Sequence, residues 1–138
     1  MQPYHLHPLA VHFPIALLSA GLVAQIAGRG GRAAPTTAAA WLLWCGTAML
    51  WVTLALGVLA ERTAPHVPRA WETLHEHRTF GFWTAGLFTT LSLGRFVLGK
   101  KLSKVQLVLW LIALAMLGLT GYHGGVLVFT HGVGVAGR

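Results

Sequence analysis

AAAWLLWCGTAMLWVTLALGVLA, residues 38–60, contains no charged side chain. A helix rises about 1.5 Å per residue, so this stretch covers the ~30 Å hydrocarbon core of a bilayer. A helix that is apolar around its whole circumference belongs in a large protein core or in lipid, and a chain of 138 residues is too short for the former. Three further runs share this character. Val11–Ala27 begins just after Pro8 and closes at Gly28-Arg29-Gly30-Gly31-Arg32. Thr79–Val97 carries Arg95 near its end, where a long side chain can snorkel to the headgroups, and Val105–Phe129 is interrupted mainly by Gln106, Tyr122 and His123. With their flanks they predict spans over about 8–28, 37–60, 72–98 and 104–130. The expected fold is all-α: an integral membrane four-helix bundle, with residues 1–138 as a single transmembrane domain.

Composition agrees. Hydrophobic residues make up 55% of the chain and charged residues 9%, where a soluble domain carries roughly a quarter charged. Ten Lys and Arg against three acids give a net charge of +7, but the basic residues are scattered between apolar runs. They form no stripe with interleaved aromatics, so nucleic-acid binding is not expected. The single cysteine, Cys45, lies inside a span. An intrachain disulfide, a paired-cysteine metal motif and a C-x-x-C-H haem attachment are therefore all excluded. The leader Met1–His7 lacks the charged n-region of a secretory signal and reads as retained.

Basic residues beside the spans predict orientation. The first and third connections hold Arg29, Arg32, Lys100, Lys101 and Lys104, with Arg95 close by and no acid. This face is expected to be cytoplasmic. The opposite face holds Arg62, Arg69, Arg78 and Arg138 together with Glu61, Glu72 and Glu76. Both termini are then periplasmic, in a multi-pass protein of a bacterial inner membrane.

All eight histidines fall on that second face. His5, His7 and His12 lead into the first span, His66, His75 and His77 lie between the second and third, and His123 and His131 end the fourth. Neither helix propensity nor lipid solvation requires such segregation, which points to a shared role. His75 and His77 project about 200° apart on a helix, so only one of them faces the bundle, and His77 is the deeper. Neutral imidazoles converging from several helices suit a b-type haem, held without covalent attachment. The expected metal ligands are His12, His77, His123 and His131, enough for one haem or two. Gly118, Gly121 and Gly125 would admit a flat ring or a neighbouring helix, and Arg62, Arg69 and Arg78 could pair with propionates.

Other chemistries fit less well. A copper or zinc site and proton or ion transport are the alternatives; the first is without the usual thiolates, close carboxylates or an H-E-x-x-H motif. Proton or ion transport normally places acids within the spans, whereas these three stay at the interface. No serine or threonine has an acid-base partner that would make it a nucleophile, so hydrolytic catalysis is not expected.

The opening His7-Pro8-Leu9-Ala10-Val11-His12-Phe13-Pro14-Ile15 and the ending Gly124-Gly125-Val126-Leu127-Val128-Phe129-Thr130-His131-Gly132-Val133-Gly134-Val135 resemble a bacterial family of four-span membrane proteins catalogued as a domain of unknown function. The likeness covers nearly the whole chain. It places His7, His12 and His131 at motif positions and His77 at the start of the third helix. His123 stands one position away from the histidine that relatives carry in G-H-x-G-G. Some relatives are fused to Rieske or c-type cytochrome modules. The resemblance thus implies redox company on the periplasmic side and favours haem over a bare metal. With no loop large enough to build a substrate pocket outside the bilayer, the chain is expected to act as a non-catalytic electron-transfer subunit, passing electrons between quinol or a membrane partner and a periplasmic carrier such as a cytochrome c or Rieske-type protein, within a larger redox complex.

Overall fold

The computed structural model describes residues 2–99 and 103–135. Lys100, Lys101 and Arg138, counted above for orientation, lie outside them. The described residues form helices joined by short turns, with no strand: α1 (Leu6–Ala10), α2 (His12–Ala27), α3 (Ala33–Thr63), α4 (Trp71–Leu98) and α5 (Ser103–Phe129). Gly31, at φ +80, makes the left-handed turn between α2 and α3, a conformation that costs glycine nothing.

Proline sets the break between α1 and α2. Pro14 has no N–H, so the carbonyl of Ala10 loses its helical donor. In lipid such a group needs a partner within the protein. Thr53 of α3 supplies one: its Oγ1 lies 3.4 Å from Ala10 O and 2.8 Å from Met49 O, so a single hydroxyl proton serves both carbonyls.

The four long helices form a ring in which α2 meets α3 and α5, and α4 meets α3 and α5. Leu18, Leu43, Leu50, Phe88, Trp110 and Leu117 fill its centre. Two glycines let the helices close on this core. A Cβ on Gly46 would stand 2.7 Å from the Leu18 side chain, and one on Gly21 would stand 2.7 Å from the Trp110 ring. The Trp110 indole N–H also donates to Leu18 O at 3.1 Å, satisfying the one polar atom of a buried ring.

Three segments, Pro3–Gly30, Ala33–Thr63 and Lys104–Phe129, are long and apolar enough to cross a membrane. Of the four spans expected, the third is thus the exception. Its helix α4 matches its neighbours in length, but threonines, glycines and Arg95 dilute its apolar character. Arg95 does not snorkel outward. Only 9% exposed, it turns into the bundle and donates to Gln106 Oε1 at 3.3 Å and to Thr36 O at 3.2 Å.

The bundle is built twice over. Buried positions of α2 recur in α4 at a constant offset of 70 residues: Pro14 and Thr84, Leu18 and Phe88, Leu22 and Ser92, Gln25 and Arg95. Those of α3 recur in α5 at an offset of 67: Ala39 and Gln106, Leu43 and Trp110, Gly46 and Ala113, Leu50 and Leu117. This matched burial, with α2 on α3 and α4 on α5 in one ring, is the pattern expected of two hairpins repeated in parallel about an approximate two-fold axis along the helices. Their sequences hardly resemble one another; burial pattern carries the repeat.

Two outcomes are expected. Gly46→Leu should lower the melting temperature in detergent, at a cost of about 1–3 kcal/mol, because Leu18 has no space to retreat into. Residues 1–66 and 67–138, co-expressed as separate chains, should co-purify as a complex, since each fragment holds one complete hairpin.

Candidate functional site

The two-fold relation brings one pair of histidines together. His7, in α1, is 70 residues before His77, in α4, and their ring centroids are 6.0 Å apart with planes inclined at 79°. Each ring is anchored in the same way. His7 Nδ1 is 2.9 Å from Thr53 O, and His77 Nδ1 is 2.9 Å from Thr120 O. Each also lies on a glycine one turn further along the helix that binds it. A Cβ on Gly57 would meet His7 Cε1 at 3.1 Å, and one on Gly124 would meet His77 Cε1 at 3.1 Å. The two halves thus present the same unit, an imidazole hydrogen-bonded to a Thr-x-x-x-Gly segment, on opposite sides of the axis.

This anchoring has a chemical consequence. A carbonyl oxygen only accepts, so Nδ1 must donate its proton to it, and in the neutral ring Nε2 then keeps a lone pair. A second hydrogen bond of this kind typically orients metal-ligating histidines and fixes their tautomer. Both rings are half-buried, at the end of the bundle where the polar groups of α1 and α4 begin.

The other expected ligands stand elsewhere. His12 is exposed on the outer side of α2. His123 donates Nδ1–H to Leu119 O of its own helix at 2.8 Å, and its Nε2 lies 3.3 Å from Glu76 Oε2. It also packs on Phe80, with centroids 5.0 Å apart. His131, beyond the end of α5, has its Nε2 3.3 Å from Thr73 Oγ1. Of the four, only His77 belongs to the pair, and its partner is His7. Among the described residues no group of three His, Cys, Asp or Glu side chains is placed to hold a metal ion.

Among the described residues, Gly118, Gly121 and Gly125, expected to admit a flat ring or a neighbouring helix, meet no side chain of another helix. A Cβ on Gly118 or Gly121 would meet nothing within 4 Å, and one on Gly125 would meet only Phe129 at 4.0 Å. The packed face of α5 runs through Leu117, Thr120, Gly124 and Leu127, one position or about 100° away. Spacing alone picks out a G-x-x-x-G; only the burial phase of the helix tells which glycine a neighbour meets.

Arg62 and Arg78 line a groove of about 860 Å³ along the seam between α3 and α4, while Arg69 is exposed in the Pro68–Ala70 turn outside it. Arg78 pairs there with Glu61 at 3.3 Å.

The chain is thus a helical, membrane-type protein in which one histidine from each half lies beside the other. The chain belongs to the family described as Predicted membrane protein (DUF2231), which matches residues 3–137. No curated protein and no solved structure matches it.

The pairing of His7 with His77 was open to discovery from the sequence. His5-Leu6-His7 and His75-Glu76-His77 repeat an H-x-H, and Thr53-Leu54-Ala55-Leu56-Gly57 and Thr120-Gly121-Tyr122-His123-Gly124 repeat a T-x-x-x-G. Histidine ¹⁵N NMR of the detergent-solubilised protein should find the neutral rings of His7 and His77 protonated at Nδ1. Nε2–H tautomers at both would contradict the geometry described here.

Proposed function

We propose that this protein is a membrane-embedded electron-transfer subunit that holds one b-type haem between His7 and His77. In this reading α4 crosses the bilayer with the other three segments, and the paired histidines lie on the periplasmic side of a bacterial inner membrane. The observation that carries it is the matched pair of imidazoles, each with Nδ1 on a backbone carbonyl and Nε2 left for a ligand bond.

Coordination number favours haem over a bare ion. Zinc normally takes four protein ligands, or three with water, and the pair offers two. His7 and His77 would hold a b-type haem through Nε2, since two imidazoles suffice for a haem, which carries nitrogen ligands of its own. When bound, the haem supplies a one-electron carrier whose potential depends on its axial ligands. The chain's own residues do the rest. Thr53 O and Thr120 O hold both rings in the metal-binding tautomer. Gly57 and Gly124 leave room for the rings to lie against α3 and α5. The Leu18–Phe88 layer keeps water from the bundle centre below.

The His7–His77 pair would hold one haem. A second haem would need His123 and His131, which are engaged with Glu76 and Thr73. Electrons would pass to a periplasmic carrier, a c-type cytochrome or Rieske-type protein. The same two nitrogens favour one other occupant, a cuprous ion. Metal–nitrogen bonds of about 2 Å on either side of an ion suit ring centroids 6.0 Å apart.

Oxidised and dithionite-reduced absorption spectra of protein from haem-replete cells test this directly. A low-spin b-type spectrum is expected, lost in His7→Ala and in His77→Ala and kept in His12→Ala. A colourless protein would overturn the haem reading, and stoichiometric copper by elemental analysis would install the second.

A further inference from the structure

The two-fold repeat provides an internal control for the seams between the hairpins. The α3–α4 seam carries Glu61, Arg62 and Arg78 around its groove, with Trp71, Phe82 and Trp83 as its apolar wall. At the repeat offsets, the α5–α2 seam has Val128, Phe129 and Pro8 where the first has Glu61, Arg62 and Arg78, and His12 and Phe13 where it has Phe82 and Trp83. One seam holds the hairpins together without any of these charges. Packing therefore does not require two arginines and a glutamate in the other.

Charge and position narrow their role. Glu61 offsets Arg78 at 3.3 Å, while Arg62 and His66 lie on the same groove. The groove carries a net positive charge from its Lys, Arg, Asp and Glu side chains. It extends from this polar group to Phe82 and Trp83, which are 46% and 64% exposed. The exposed indole of Trp71, at the first residue of α4, is the kind of side chain that settles at headgroup level. Guanidinium above and aromatic wall below match an amphiphile that is anionic at one end and apolar at the other. Arginine recognises phosphate bidentately, and basic pockets between membrane helices bind lipid headgroups.

We infer that the α3–α4 groove is a binding site for one anionic phospholipid, its phosphate held by Arg62 and Arg78 and an acyl chain lying along Phe82 and Trp83. The inference uses no property of the His7–His77 centre and stands or falls apart from the haem reading.

Native mass spectrometry of the whole protein in detergent, with equal phosphatidylglycerol and phosphatidylcholine added, reads it directly. Two arginines at an anionic headgroup should favour phosphatidylglycerol by about tenfold at a stoichiometry of one. The preference should fall toward unity in Arg62→Gln and in the Arg62→Gln/Arg78→Gln double variant. It should persist in Arg69→Gln, which changes a charge outside the groove. Equal retention of both lipids by the unaltered protein, or an undiminished preference in the double variant, would overturn the site. Displacement of the lipid by millimolar inorganic phosphate would overturn the phospholipid assignment and leave a free-anion site.

Discussion

A carbonyl or ring nitrogen that turns away from water inside a membrane protein has to be satisfied by the chain itself. The hydrogen bonds from His7 to Thr53 O and from His77 to Thr120 O meet that requirement, and the architecture around them follows from it. To reach a carbonyl on a neighbouring helix, each imidazole must lie close to that helix, which Gly57 and Gly124 allow. Hydrogen bonds between membrane helices average about 0.6 kcal/mol, too little to fold the bundle. Their contribution is direction: they decide which nitrogen is bound and which is left available. Stability comes from the interlocked layer of Leu18, Leu43, Phe88 and Trp110, where Gly21 and Gly46 bring backbones near.

The two halves share a burial pattern but not their linings. Along the axis, equivalent positions hold two histidines at one end and Gln25 and Arg95 toward the other. The first pair is the same residue in both halves; the second differs, with Arg95 bonded to Gln106 and Thr36 O. The seams differ too, one lined by charge and the other by phenylalanine and proline. A symmetric scaffold with asymmetric linings can hold a shared group centrally while meeting its surroundings differently on each side.

Much of this was legible in the chain itself. Three of the spans follow from apolar runs that no soluble core of this size would bury, and the family follows from the motifs at both ends. The histidines were read as a set, and the structure places His77 beside His7 with His12, His123 and His131 elsewhere. Two things were hidden. Depth along a helix was a poor guide to convergence: His12 is deeper than His7, yet it lies on the outward face of α2, beyond the break that Pro14 imposes. Helix phase was the other, because these helices are apolar all round and hydrophobic periodicity cannot say which glycines of α5 are packed. The repeat would have answered both, but it survives in spacing and burial more than in residue identity, and it becomes visible only when H-x-H and T-x-x-x-G are aligned together.

Each imidazole is fastened to the other helix of its own hairpin, His7 to α3 and His77 to α5. Among the described residues, neither ring is hydrogen-bonded to the other hairpin. The gap between them is therefore a gauge of how one hairpin is seated against the other, so that a small slide or tilt at the seams is registered first as a change in the distance and angle separating two nitrogens.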